Sequence, residues 1–264
     1  MKICIVHVNA EEVSAPYTQR IVQTFSAAKR DDTELVHRYV RRLKRATDTV
    51  FAYPILLNKV DVVDCLLDAA LAGVDGAMVA CSGDPGVTEA RSILSIPVVG
   101  PMEASLHLAC TYAYKIGIVT VADPSWAEYC HMMVRSCGLM DRLAGIARIE
   151  IPSKDAFSRG FVEPESVLRE ISAKARSLVD LGAGAIVIGS AGLSVIAGAA
   201  RLSAVPGLGV PIFDCLTTGL KCCELRIDMS RKLGIPEIGR AGFTERLEPK
   251  DVDRLRKLFR GADT

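Results

Sequence analysis

Ala72-Gly73-Val74-Asp75-Gly76-Ala77-Met78-Val79-Ala80-Cys81-Ser82-Gly83 and Leu181-Gly182-Ala183-Gly184-Ala185-Ile186-Val187-Ile188-Gly189-Ser190-Ala191-Gly192 are two versions of one pattern. In each, a helical stretch ends at a glycine, a short apolar run follows, and a cysteine or serine opens a glycine-containing turn. Helix, buried strand and turn into a further helix are the mark of βα units around a parallel sheet, and their recurrence marks an internal duplication. The match continues downstream, where Ile96-Pro97-Val98-Val99-Gly100 parallels Val210-Pro211-Ile212-Phe213-Asp214, each ahead of a long helical stretch. The chain therefore reads as α/β, with two similar lobes. Each lobe is a mostly parallel four-stranded sheet flanked by helices, and a pseudo-two-fold axis relates the two across a cleft. Residues 1–100 with 215–264 are expected to form the first lobe, carrying Cys81, and residues 101–214 the second, carrying Ser190.

Working outward, apolar runs predict strands over Ile3–Val8, Glu34–Tyr39, Gly76–Ala80, Pro97–Gly100, Ile116–Val121, Ile146–Ile151, Ala185–Gly189 and Val210–Phe213. Helical periodicity covers Ser14–Lys29, Val60–Ala72, Pro85–Leu94, Ala104–Lys115, Ser125–Cys137, Pro164–Leu181 and Gly219–Lys232. Residues 44–58 and 152–162 carry little pattern and are candidates to cover the cleft.

Composition narrows the function. Half of the 264 residues are hydrophobic, enough for a substantial core. The 32 basic and 31 acidic residues nearly cancel, so no overall field draws in nucleic acid or an anionic membrane. The one basic cluster, Arg38 to Arg45, reads as a solvated strand end or loop. Leu181 to Ala200 has the length of a membrane span, yet its five glycines mark it as strand, turn and helix start. The nine cysteines are odd in number, form no CxxC pair and follow no amino-terminal signal segment. They predict a reducing, cytoplasmic setting. No HxH, HExxH or paired CxxC suggests a metal, and no GxGxxG or P-loop suggests a nucleotide.

Ligands of parallel sheets sit beyond the carboxyl ends of the strands, where turns present backbone N–H groups. Cys81 and Ser190 both occupy that place. After Cys81 comes Ser82-Gly83-Asp84-Pro85-Gly86, in which Asp84 suits a helix N-cap and Pro85 a first turn. A thiol beside a helix amino terminus is expected to ionise below its reference value of about 8.5. Cysteines 4, 65, 110, 130, 137, 215, 222 and 223 fall inside strand or helix patterns and read as space-filling. His7, His37, His107 and His131 show no spacing that ties them to Cys81, so a Cys-His hydrolase has no support.

Val79-Ala80-Cys81-Ser82-Gly83-Asp84-Pro85-Gly86, together with Ile186-Val187-Ile188-Gly189-Ser190-Ala191-Gly192-Leu193, resembles the aspartate/glutamate/hydantoin racemase superfamily, on its hydantoin and allantoin racemase branch. Val6-His7-Val8-Asn9, Ile96 to Gly100 with Glu103-Ala104, Ile118-Val119-Thr120 and Val210 to Asp214 add to the resemblance, which runs over about residues 3 to 230. It implies a cofactor-independent racemase, a homo-oligomer, and a small-molecule substrate such as a hydantoin, ureide or small carboxylate. In the superfamily two cysteines flank the substrate's α-carbon; one removes a proton and the other returns one to the opposite face. The carbanion is an enolate, which preorganised N–H and hydroxyl donors stabilise. By resemblance and position, Asn9, Ser82, Gly83, Thr120, Ala191 and Gly192 are assigned that role, with Cys81 as one acid/base.

Ser190 stands where the second cysteine is expected. A serine hydroxyl without an adjacent base is far too weak an acid to work as alkoxide near neutral pH. Three readings stay open: a racemase whose second cysteine has been replaced, by nature or by design; a one-thiol enzyme resembling arylmalonate decarboxylases; or a non-catalytic protein binding a small carboxylate or ureide.

Overall fold

A computed structural model describes residues 1–13 and 15–260. Ser14, expected to open the first helix, and residues 261–264, assigned to the first lobe, lie outside the described residues. The first half runs β1 (Lys2–His7), α1 (Ala15–Ala28), β2 (Glu34–Tyr39), α2 (Ala52–Leu71), β3 (Gly76–Val79), α3 (Val87–Arg91), β4 (Val98–Val99) and α4 (Pro101–Tyr112). The second runs β5 (Ile116–Thr120), α5 (Pro124–Ser136), β6 (Leu143–Arg148), α6 (Ser153–Gly160), α7 (Glu165–Asp180), β7 (Ala185–Ile188), α8 (Ala191–Ala199), β8 (Ile212–Asp214) and α9 (Cys215–Leu233), after which α10 (Pro249–Arg260) follows.

Two parallel four-stranded sheets result, ordered β2-β1-β3-β4 and β6-β5-β7-β8, as the duplicated pattern requires. The central strands are buried on both faces, which is why they are continuous apolar runs. Register aligns the two halves: Val6 pairs with Val79 and Val119 with Ile188, so Cys81 and Ser190 each follow the last paired residue of the third strand in their half by two positions.

Helices exchange between the sheets. α4, which leaves β4, packs on β7 and β5, whereas α9, which leaves β8, packs on β3 and β4; α4 and α9 lie against each other. α1 and α8 also pack together, with Ile21 and Phe25 meeting Val195 in one core cluster. These contacts bring the carboxyl ends of both sheets to one place. The helices follow ordinary rules: α7 buries Val167, Ile171, Ala175 and Leu178 along one stripe, and α9 opens with the Asp214 carboxylate accepting from Thr217 N at 2.7 Å and ends at Gly234, φ 67°.

The structure corrects several boundaries. β6 begins at Leu143, not Ile146, with a register shift beside Ile116 and Gly117; pairing to β5, rather than side-chain bulk, sets its start. β8 likewise occupies Ile212–Asp214 rather than Val210–Phe213, because its pairing with β7 starts at Ile212. α2 starts at Ala52 rather than Val60, and its first turns leave Tyr53, Leu56 and Leu57 exposed, so no amphipathic period announces them. α3 shrinks to five residues. α6 and α10 were not expected; α6 buries only Ala156 and Gly160, and α10 is tied down through the Arg256–Asp64 ion pair at 3.2 Å. The stretch 181–200 is β7 followed by α8, and no helix among the described residues is long and apolar enough to cross a membrane.

Candidate active site

A cavity of about 450 Å³ opens where the two sheets' carboxyl ends meet. Cys81 and Ser190 both line it, one from each half. Of the other residues expected there, Asn9, Ser82, Ala191 and Gly192 line the same cavity; Gly83 faces a small adjoining one with Cys81. Thr120 is fully buried beneath the second turn, and its hydroxyl donates to Gly189 O at 3.0 Å.

That carbonyl is a meeting point. Trp126 Nε1 donates to it at 2.8 Å and Ser82 Oγ at 3.4 Å, and the Cys130 thiol lies 3.5 Å away. Ser82 follows Cys81 and Gly189 precedes Ser190, so the Ser82–Gly189 hydrogen bond joins the two turns directly. Ser82 and Thr120 therefore spend their hydroxyls on holding the turns in place. The donors left for a substrate are chiefly backbone: the first amides of a helix have no intrahelical acceptor, and those of α8 belong to Ala191 and Gly192. A Cβ at Gly192 would crowd the Phe157 ring, which would have to shift to admit it.

The Cys81 turn departs from the expected cap. Asp84 does not cap α3, which begins only at Val87 after Gly86 at φ 76°. Asp84 itself adopts φ 47° and turns its carboxylate onto the amino terminus of α4, accepting from Met102 N at 3.0 Å and Glu103 N at 2.8 Å. Gly100 makes room for it: a Cβ at position 100 would come within 2.5 Å of that carboxylate. Asp84 N also donates to Cys81 O at 3.1 Å, so the thiol's turn is anchored to a helix that covers the other sheet.

The expectation of an easily ionised thiol is overturned. Burial pushes Cys81 up to about 12; the Gly83 N–H donated to the sulfur pulls the other way, and the nearby Asp84 carboxylate adds to the rise. A five-residue helix starting six positions later supplies too little field to offset desolvation. Cys81, 7 % exposed, is therefore held as a protonated thiol near neutral pH. Ser190, 4 % exposed, caps α8, its Oγ accepting from Leu193 N at 3.4 Å.

Other cavity residues escaped the sequence reading. His7, read as having no tie to Cys81, lines the cavity with it, stacked on Tyr39 at 4.5 Å and hydrogen-bonded through Nε2 to His37 Nδ1 at 2.8 Å. Burial lowers His7 to about 3, so the ring is neutral. Tyr17 donates to Ala80 O at 3.3 Å. α6 brings Phe157 and, just past its end, Phe161 over the cavity, and Arg20 of α1 holds Phe161 O at 2.6 Å through one guanidinium nitrogen. No Lys or Arg is among the described lining residues, and Asp123 is the only carboxylate among them. No group of three His, Cys, Asp or Glu that could hold a metal occurs among the described residues.

Comparison with known proteins agrees with this geometry. The family described as Asp/Glu/hydantoin racemase matches residues 3–223. A hydantoin racemase of Pseudomonas sp. (strain NS671) is 28% identical over 233 residues, 88% of either chain. Another, from Paenarthrobacter aurescens, is 32% identical over 152 residues, 57% of this chain and 60% of that one. Among solved structures, the allantoin racemase from Klebsiella pneumoniae superposes with a TM-score of 0.77 at 25% identity, covering 94% of both chains. The chain belongs to the Asp/Glu/hydantoin racemase family, and its relatives place it on the hydantoin racemase branch.

Proposed function

We propose that the protein is a cofactor-independent racemase of the hydantoin type, with Cys81 as one acid/base. The observation that carries this reading is the pair of duplicated turns, which bring Cys81 and Ser82 from one half and Ser190, Ala191 and Gly192 from the other onto one cavity and are joined by the Ser82–Gly189 hydrogen bond. The lobes are then residues 1–100 with 215–264 and residues 101–214. The crossing of α4 and α9 supports that division.

The lining supports a neutral substrate. A carboxylate buried here would meet no cationic side chain among the described lining residues, and an unpaired buried charge is costly. A cyclic ureide such as a hydantoin carries carbonyl and N–H groups without a full charge, which suits Asn9 and the amides of Ala191 and Gly192. The same feature weighs against acidic amino acids and against a malonate-type decarboxylase. Removing the proton beside the carbonyl moves an electron pair onto oxygen, and the α8 amides are placed to hold that developing anion. Cys81, held as a thiol, is suited to returning a proton to carbon.

The test is NMR of enantiopure 5-methylhydantoin in deuterium oxide, following loss of the ring C–H and of optical purity. Wild-type protein exchanges the proton, and Cys81→Ala loses about 10³-fold, the span usual for a general acid or base. Exchange undiminished in Cys81→Ala would overturn the assignment.

A further inference from the structure

We infer that Asp123 is the second acid/base of this cavity, taking over from the second half of the molecule the task Ser190 cannot perform. The inference rests on the racemase reading above and names a catalytic group for it.

The choice follows from which groups line the cavity. The Ser190 hydroxyl accepts as the N-cap of α8, and no base is hydrogen-bonded to it among the described residues. His7 lies on the first sheet with Cys81 and is bonded to His37. Tyr17 donates to a backbone carbonyl. Asp123 differs on each count. It follows β5, the strand beside β7, so it extends from the same sheet as Ser190 and not from the sheet carrying Cys81.

Asp123 is also free of the duty its position suggests. It is the residue before α5, where an aspartate ordinarily caps the helix, yet its side chain makes no capping bond and Pro124 occupies the first turn. Asp123 instead lines the cavity, and its carboxylate accepts from the Ser153 hydroxyl at Oδ2. Ser153 opens α6, the element that carries Phe157 over the site, so the same contact positions the carboxylate and closes the wall.

The proton balance is complete without a co-reactant. Asp123 takes the α-proton, the C–H electron pair moves onto the carbonyl oxygen, and the α8 amides hold the enolate. The Cys81 S–H then delivers its proton to the opposite face as the enolate electrons return to carbon. One turnover leaves Asp123 as a carboxylic acid and Cys81 as a thiolate. The opposite enantiomer runs the same steps backwards and restores the start, or water exchanges both groups.

The experiment compares wild type, Asp123→Asn, Ser190→Cys and the double variant by exchange and racemisation of enantiopure 5-methylhydantoin in deuterium oxide, with circular dichroism confirming the fold. Asp123→Asn is expected to lose about a hundredfold or more in rate, and adding Ser190→Cys to it to restore racemisation by supplying the thiol on the same sheet. The inference is overturned if Asp123→Asn stays within about threefold of wild type, or if the folded double variant gains nothing over Asp123→Asn. It is also overturned if wild type is inert while Ser190→Cys is active, an outcome that keeps the racemase reading. Inactivity of every form, Ser190→Cys included, overturns both.

Discussion

The turn after β3 and the turn after β7 begin from the same sequence pattern and end as different devices. In the second, Ser190 caps its own helix and the chain runs straight into α8. In the first, two residues in left-handed conformation, Asp84 and Gly86, delay the helix until Val87 and send the capping carboxylate sideways onto α4. The regular turn thus offers open helix amides to a ligand, whereas the irregular one holds a thiol whose sulfur meets the Gly83 N–H. Duplication supplied one frame; capping decided which copy presents backbone donors and which presents a reactive side chain.

The sharpest way to break the irregular turn is Gly100→Ala. The added methyl would lie 2.5 Å from the Asp84 carboxylate and 2.9 Å from its Cβ, and neither can retreat while two α4 amides hold the carboxylate. Displacing it leaves those partly buried amides unpaired, on the order of 3 kcal/mol with the overpacking included. Thermal melting should fall by about 6–12 °C, and Cys81-dependent exchange should fall with it. An unchanged melting temperature would show that Asp84 is not fixed as described.

Asp84→Asn tests the charge in place of the shape. Burial holds the Asp84 carboxyl at about 7, above the unfolded value of about 3.9. The native state therefore binds more protons than the unfolded one between those values. Asp84's contribution to stability is full below about pH 4 and is lost as pH rises through 7. Asp214, raised to about 6 by burial, acts in the same direction and stays in the variant. The stability difference between Asp84→Asn and wild type, from denaturant melts at pH 5 and pH 8, should shift in favour of the asparagine at the higher pH. Iodoacetamide should also alkylate Cys81 faster in the variant, since the carboxylate's field on the thiol is gone.

The frame was legible in the sequence because parallel strands buried on both faces are apolar runs, and the duplicated run-and-turn repeats them in order. Cys81 and Ser190 could be placed on the cavity from strand ends, and Asn9, Ala191 and Gly192 from position together with the family resemblance. What could not be read belongs to long-range contacts. Asp84 resembles a local cap, and nothing within a few residues reveals that its partner is the start of α4; Gly100 was the available signal, a glycine before Pro101 with no turn of its own to serve. α6 lacks an apolar stripe because it buries only two small residues, so Phe157 and Phe161 stayed invisible, although the glycine at 192 marks the close approach of Phe157. His7 met His37 through strand pairing, and Asp123 and Ser153 met through the return of α6, separations that periodicity does not span. The thiol's acidity was misjudged because a turn sequence reports nearby amides but not the depth of burial.

The smallest effect expected is at Ser190→Ala, where the two turns diverge most clearly in role. Removing the hydroxyl takes one acceptor from the Leu193 amide, a bond already long at 3.4 Å, and should cost about 1 kcal/mol or 2–4 °C in melting temperature. If Ser190 serves as a cap and not as a base, the rate of substrate exchange should fall by far less than the roughly 10³-fold loss expected on removing the Cys81 thiol. A loss in Ser190→Ala as deep as that of Cys81→Ala would instead make the hydroxyl a proton carrier, restore the symmetry of the two turns, and require a base beside it within the second half.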